Sequence, residues 1–225
     1  MWFKEDLFKI WKDKWIIVLN KQGIAKHLSI SMREVQDLLI GNNIPKISRG
    51  LYLIADLDYV DPFSVAYIIN MDSYISIDSA LYHYHLIPEF IRPNYSVTSK
   101  KTKNVYNQVW KFIYRHLRSD IFFWYYYNKD QACMFAEREK AILDYFHFTR
   151  IWVSRSVAKS AHSWKYISKA VIHIFRWFQS ERFQNLDTID FMKLSEYWNK
   201  MNKRVSILAK LLENYYLSEY YENHQ

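Results

Sequence analysis

The chain has 225 residues, half of them hydrophobic and 19% aromatic, which specifies a globular core and excludes a disordered chain. A net charge of +8 favours an acidic partner such as nucleic acid. No apolar run reaches the roughly 18 residues of a membrane span, the charged start "MWFKEDLFKIWKDKW" is not a signal peptide, and the single cysteine, Cys133, excludes an intrachain disulfide or a cysteine cluster for zinc; cytoplasm is the expected compartment.

Residues 5–19 place Leu7, Ile10, Trp11, Trp15 and Val18 near one helical face, which predicts a first helix. Asn20 is suited to cap a second helix, "KQGIAKHL", which buries Ile24, Ala25 and Leu28. The small residues Gly23 and Ala25 predict close helix packing. After the turn "SIS", Ser31 and Glu34 form the S-x-x-E pattern of a capping box and start a third helix with Val35, Leu38 and Leu39 buried. Gly41 is placed where a helix ends on a left-handed residue.

The three glycines, Gly23, Gly41 and Gly50, all fall in the first 50 positions. In "KISRGLYLI", Ser-Arg-Gly between two short apolar runs predicts a hairpin, with Gly50 permissive at the tip and Arg49 pushed outward. Two helices, a short turn, a capped helix and a basic hairpin make a winged helix-turn-helix. In such modules the helix after the turn enters the major groove and its first residues reach base edges. Ser31, Met32, Arg33 and Gln36 stand at that end, and Arg and Gln suit guanine and adenine edges. Lys46 and Arg49 on the wing, with Lys21 and Lys26, are the candidate phosphate contacts. Glu34 and Asp37 argue for the alternative, a winged helix used only for protein contacts.

Asp61-Pro62 opens the next unit. "DPFSVAYIIN" reads as a helix, "DSYISIDSALYHYHLIPEF" as a strand leading into a helix capped by Asp78, and "NYSVTS" as a strand. "KKTKN" is a basic turn. Beyond it Trp110, Phe112 and Tyr114 alternate with Lys111, Ile113 and Arg115, as a strand requires. "IFFWYYY" and "ACMFA" read as strands. "EREKAILDYFHFTRIW" reads as a helix with Ala141, Ile142, Tyr145 and Phe146 inward. From Arg92 to Arg118 there are seven Lys or Arg and no Asp or Glu. Lys100, Lys101, Lys103, Lys111, Arg115 and Arg118 are therefore candidates for a second basic surface, interleaved with Tyr106, Trp110 and Tyr114. The bland alternative makes the aromatics core and the lysines solvated.

The tail reads as helical. Val171, Ile174, Phe175 and Phe178 share a stripe, Asp187 caps "DTIDFMKLSEYWNKM", and "NKRVSILAKLLENYYLSEYY" forms a last amphipathic helix. Its Tyr- and Trp-rich composition fits either a packed subdomain or a partner surface.

Several stretches, in this order, resemble the AbiEi family of bacterial antitoxins. They are "RGLYLI", "YISIDSALYHYHLIPE", "SVTSKKTK", "FIYRHL" and "FAEREKAILDYF". The resemblance covers about residues 7–150 and, more loosely, the tail. Glu137-Arg138 stands where the family has Thr-Pro. The resemblance implies a DNA-binding autorepressor encoded beside a nucleotidyltransferase-like toxin, in systems linked to phage abortive infection. It implies that the winged helix binds the operon's own promoter and that the C-terminal part counters the toxin without a stable complex.

The expected architecture is α+β: an N-terminal winged helix-turn-helix (1–58), a mixed α/β domain (59–150) and a helical C-terminal part (151–225). The expected partners are promoter DNA and the toxin, with no cofactor, no metal and no catalytic residue. His83 and His85 are two apart, which splits their rings to different sides of a helix. Asp120, Glu137, Glu139 and Lys140 lack a nuclease-like Glu-x-Lys, because Arg138 precedes Lys140 by two. A nucleic-acid-processing enzyme is the more distant alternative.

Overall fold

The computed structural model describes residues 4–90, 92–149 and 183–222. Among them are eight α-helices and nine strands in two sheets, a mixed α+β architecture.

α1 (Lys4–Lys14) buries Leu7 and Ile10. It does not continue to residue 19. Trp15 is left-handed (φ 56°) and 83% exposed, and Val18–Asn20 form strand β1. The β-branched run Ile16, Ile17, Val18 is better accommodated on a pleated surface than in a helix. Asn20 then accepts from the Gly23 amide and caps α2 (Lys21–Leu28), as its position in the sequence predicts. A Cβ on Gly23 would stand 2.9 Å from Leu19 Cδ2, so its smallness serves the approach to the preceding strand and not a second helix.

In α3 (Met32–Gly41) both halves of the Ser31–Glu34 capping box are made, and Val35, Leu38 and Leu39 are buried. Gly41 is the last helical residue; the left-handed position falls on Asn43 (φ 50°). β2 (Lys46–Ser48) and β3 (Leu51–Leu53) form the hairpin, with Gly50 at φ 76°. β1 pairs antiparallel with β3, giving the order β1-β3-β2.

This small sheet has two covered faces. Ile54, with Tyr52 beside it, packs into a core with Leu7, Ile24, Val35 and Leu38. Val18, Ile47 and Leu53 turn the other way into the core of the larger unit.

α4 (Pro62–Ile69) starts on an Asp61 cap with proline at its first position. β4 (Ser73–Ile75), β5 (Asn94–Thr98), β6 (Lys103–Tyr106), β7 (Lys111–His116), β8 (Tyr125–Asn128) and β9 (Cys133–Ala136) form a mixed sheet, ordered β6-β7-β5-β4-β9-β8. β5–β7 and β4–β9 are parallel pairs; the others are antiparallel. Tyr114 donates to the Ala66 carbonyl of α4 (2.7 Å), and Phe135 meets Phe63 edge-on at 5.4 Å. Tyr74 and Ser76, two residues apart and so on one face, turn instead toward α6 (Arg138–Phe148).

Several local expectations shift. Residues 121–124 are not strand: Ser119–Ile121 is a 3-10 turn and β8 begins at Tyr125. α5 (Ile77–His83) is preceded by Ser76, and Asp78 lies in its first turn instead of capping it. The basic segment 100–102 does not join neighbouring strands, because β7 lies between β5 and β6. Asp190, not Asp187, caps α7 (Phe191–Trp198), accepting from the Lys193 amide at 3.0 Å. α8 (Lys203–Glu222) is the last helix. The stripe of Val171, Ile174, Phe175 and Phe178 lies outside the described residues.

α6 is the hub. Every residue from Glu139 to Phe146 is buried, between the sheet, α5, α7 and α8. Arg204 of α8 donates to the Phe146 and His147 carbonyls (3.1 and 2.7 Å) and to Thr149 O (2.7 Å), closing the carbonyl end of α6.

Candidate nucleic-acid interface

The sequence-derived residues fall on three elements, α2, α3 and the β2–β3 hairpin. On α3 the capping box consumes Ser31 and Glu34. The Ser31 amide donates to Glu34 Oε2 at 2.8 Å, and Ser31 Oγ accepts from the Glu34 amide at 3.3 Å. Glu34 is thereby folded back on the helix start, and its carboxylate is occupied there. Met32 (49% exposed) and Arg33 stand outward beside it.

One turn on, Gln36 is half-buried and its Oε1 accepts from Lys21 Nζ of α2. That bond joins the two helices and occupies two of the residues named for contact. Arg33, Asp37 and the exposed Ile40 (68%) continue the outward face, since residues three and four apart are neighbours on a helix. Lys26 is exposed on α2, and Lys14 Nζ donates to His27 Nδ1 at 3.1 Å close by.

On the hairpin, Lys46 and Arg49 are exposed, whereas Ile47 between them is 1% exposed. The strand alternation that anchors Ile47 in the larger core turns Lys46 out. The Ile47 carbonyl accepts from Asn107 Nδ2 (3.0 Å), a residue of the β6–β7 connection. Asn107 escaped the sequence reading, because nothing local marks a contact across 60 positions.

The second basic stretch is less uniform in space than in sequence. Lys100 Nζ lies 4.0 Å from Asp72, and Arg118 is paired with Asp120 through Nε at 3.0 Å. The Arg118–Asp120 pair holds the carboxyl below and the guanidinium above their usual ranges, chiefly by their mutual hydrogen bond. Arg115 is half-buried, while Lys101, Lys103 and Lys111 stay exposed. Of the interleaved aromatics, Tyr114 is fully buried, Trp110 half-buried and Tyr106 62% exposed.

The residues weighed for other chemistry are dispersed. Asp120 is taken by Arg118. Glu137 accepts from Tyr197 (2.5 Å) and, with Glu139, faces Lys193 at 2.9 and 3.7 Å. Lys140 is buried and paired with Asp144. The His83 ring lies tilted against Phe135 at 4.5 Å, and burial, then the neighbouring His85, lowers its pKa; His85 itself is exposed. Among the described residues no three of His, Cys, Asp and Glu converge as metal ligands, and no described helix is long and apolar enough to cross a membrane.

No protein-family model matches this chain, and no curated protein matches it.

Proposed function

We propose that residues 1–58 are a winged helix-turn-helix that binds duplex DNA. On this reading the protein is an autorepressor and antitoxin of the AbiEi kind, cytoplasmic, acting beside a nucleotidyltransferase-like toxin. The observation that carries it is the start of α3. The capping box leaves Met32 and Arg33 outward on a rigid helix end, and the exposed cations Lys46 and Arg49 stand on a hairpin of the same small core. Arg33 is placed for a base edge, and Arg49, Lys46 and Lys26 for phosphates. Because Lys21 holds Gln36, both reinforce the α2–α3 angle in the free protein. The toxin-countering role rests on the family resemblance alone and falls to residues 59–225.

The test is a mobility-shift titration of the full chain on its own promoter and on random DNA of equal length, at several salt concentrations. Preference for the promoter, with affinity falling steeply as salt rises, is expected. Equal binding to both at moderate salt overturns the repressor reading. It would leave the protein-contact alternative, which the exposed Asp37 on the face of Arg33 favours. Growth rescue on co-expression with the adjacent toxin tests the antitoxin half separately.

A further inference from the structure

A cleft of 320 Å³ opens between the start of α4, the segment before β5 and the β6–β7 connection. It is separate from the outward face of α3. Its size is at the lower end of the roughly 300–1,000 Å³ of small-molecule sites. Its chemistry is specific. Two aromatic rings, Phe90 and Trp110, line it together with two cations, Arg92 and Lys111. Among the described residues no Asp or Glu lines it, and neither cation has a carboxylate partner. The buried Asn94 adds an amide to the wall.

The walls are preorganised. Asn107 Oδ1 accepts from the Val109 and Trp110 amides (2.9 and 2.7 Å), while its Nδ2 is fixed on the Ile47 carbonyl at 3.0 Å. Trp110 is thus delivered from a connection tied at both ends. Phe90, although 55% exposed, is held edge-on against Tyr82 at 5.3 Å, and the Arg92 guanidinium lies over its ring at 5.8 Å. A ligand therefore meets a surface whose ordering is already in place, which lowers the entropic cost of binding.

We propose that this cleft binds a mononucleotide. Unpaired cations take the phosphate, aromatic faces take a planar base, and the amide of Asn94 meets the polar edge of that base. The volume accommodates one nucleotide unit. A longer strand presents the same chemistry, so the assay must separate a free nucleotide from a polymer.

Equilibrium dialysis of the full chain against each labelled ribonucleoside 5′-monophosphate, a trinucleotide, ribose 5-phosphate and inorganic phosphate does so. Expected is saturable binding of at least one monophosphate below millimolar concentration, at one per chain. Ribose 5-phosphate and inorganic phosphate should bind at least about fivefold more weakly, since base stacking contributes about 1–3 kcal/mol. Arg92→Ala and Lys111→Ala change exposed side chains, so the fold is retained. Each should weaken the monophosphate about tenfold or more. Phe90→Ala should weaken the monophosphate but not phosphate alone. Three results overturn the proposal: no saturable monophosphate binding, binding unchanged in Arg92→Ala and Lys111→Ala, or ribose 5-phosphate binding as tightly as the nucleotide. Binding of the trinucleotide alone also overturns it and assigns the cleft to a strand.

Discussion

Lys140→Met is the sharpest test of how the larger unit is held together. Lys140 and Asp144 are both 0% exposed and one helical turn apart on α6. Asp144 Oδ1 faces the ammonium, while its Oδ2 accepts from Tyr74 (3.0 Å) and Ser76 (2.8 Å) on the β4 side. Removing the cation strands a carboxylate in the core, with two neutral hydroxyls to compensate it. Breaking a buried pair this way costs about 3–5 kcal/mol, a large share of the roughly 5–15 kcal/mol that separates native from unfolded states. At an m value of about 3 kcal/mol/M the urea midpoint falls by about 1–1.7 M.

The geometry also predicts a rescue. In Lys140→Met/Asp144→Asn the amide oxygen takes the Oδ2 position and keeps both hydroxyl bonds. The amide nitrogen takes the Oδ1 position and faces an uncharged thioether. Leaving that uncharged amide group without an acceptor costs about 1–3 kcal/mol, less than stranding a charge, so the double variant is more stable than the single one. Urea titrations followed by circular dichroism measure both. A single variant within about 1 kcal/mol of wild type, or a double variant no better than the single, refutes the account.

Arg33→Ala should cost about 1–3 kcal/mol of promoter affinity and relax the preference at one base pair, read by competition with single-base variants of the site. Arg49→Ala should weaken binding to all sequences alike and lower the log–log salt slope by about 0.9. Gly50 has a φ of 76° and open space around it, so Gly50→Ala carries only the left-handed backbone penalty. That is about 1–2 kcal/mol, and Gly50→Asn should cost less, both seen as shifts in the urea midpoint. At alkaline pH, burial raises the Cys133 thiol from 9.0 to about 12 and pushes the Tyr74, Tyr84 and Tyr114 hydroxyls above their ordinary 10.0. The unfolded chain therefore releases these protons first, and stability, full below pH 9, declines as pH rises above it. Urea midpoints at pH 8 and pH 10.5 check this; Cys133→Ala should flatten the decline, and an equal decline in that variant would remove the thiol from the account.

Where a local signal is also a complete physical device, the sequence alone determined the outcome. Ser31 and Glu34 carry both partners of a capping box within four residues, and the box forms. Asn20 caps α2, Asp61-Pro62 starts α4, and Gly50 takes the positive φ of a hairpin tip. Charge and aromatic alternation located β7, although Ile113, expected on the outer side with Lys111, is buried between its register partners Tyr95 of β5 and Asn104 of β6.

Tertiary structure decided whatever depends on a distant partner. Trp15 fits the apolar stripe of α1, yet it is exposed, because residues 18–20 gain more by pairing with β3 than by extending the helix. The run from Arg92 to Arg118 contains no acid, but the fold brings Asp72 to Lys100, while Asp120, two positions past the run, takes Arg118 locally. The i,i+4 spacing of Lys140 and Asp144 puts the pair on one face of α6; only the closing of β4, α5, α7 and α8 around α6 makes it the centre of a buried network. Helix starts and turns are settled by groups a few bonds apart. Burial, tertiary charge pairing and clefts are sums over neighbours far apart in the chain, and one-dimensional periodicity carries no term for them.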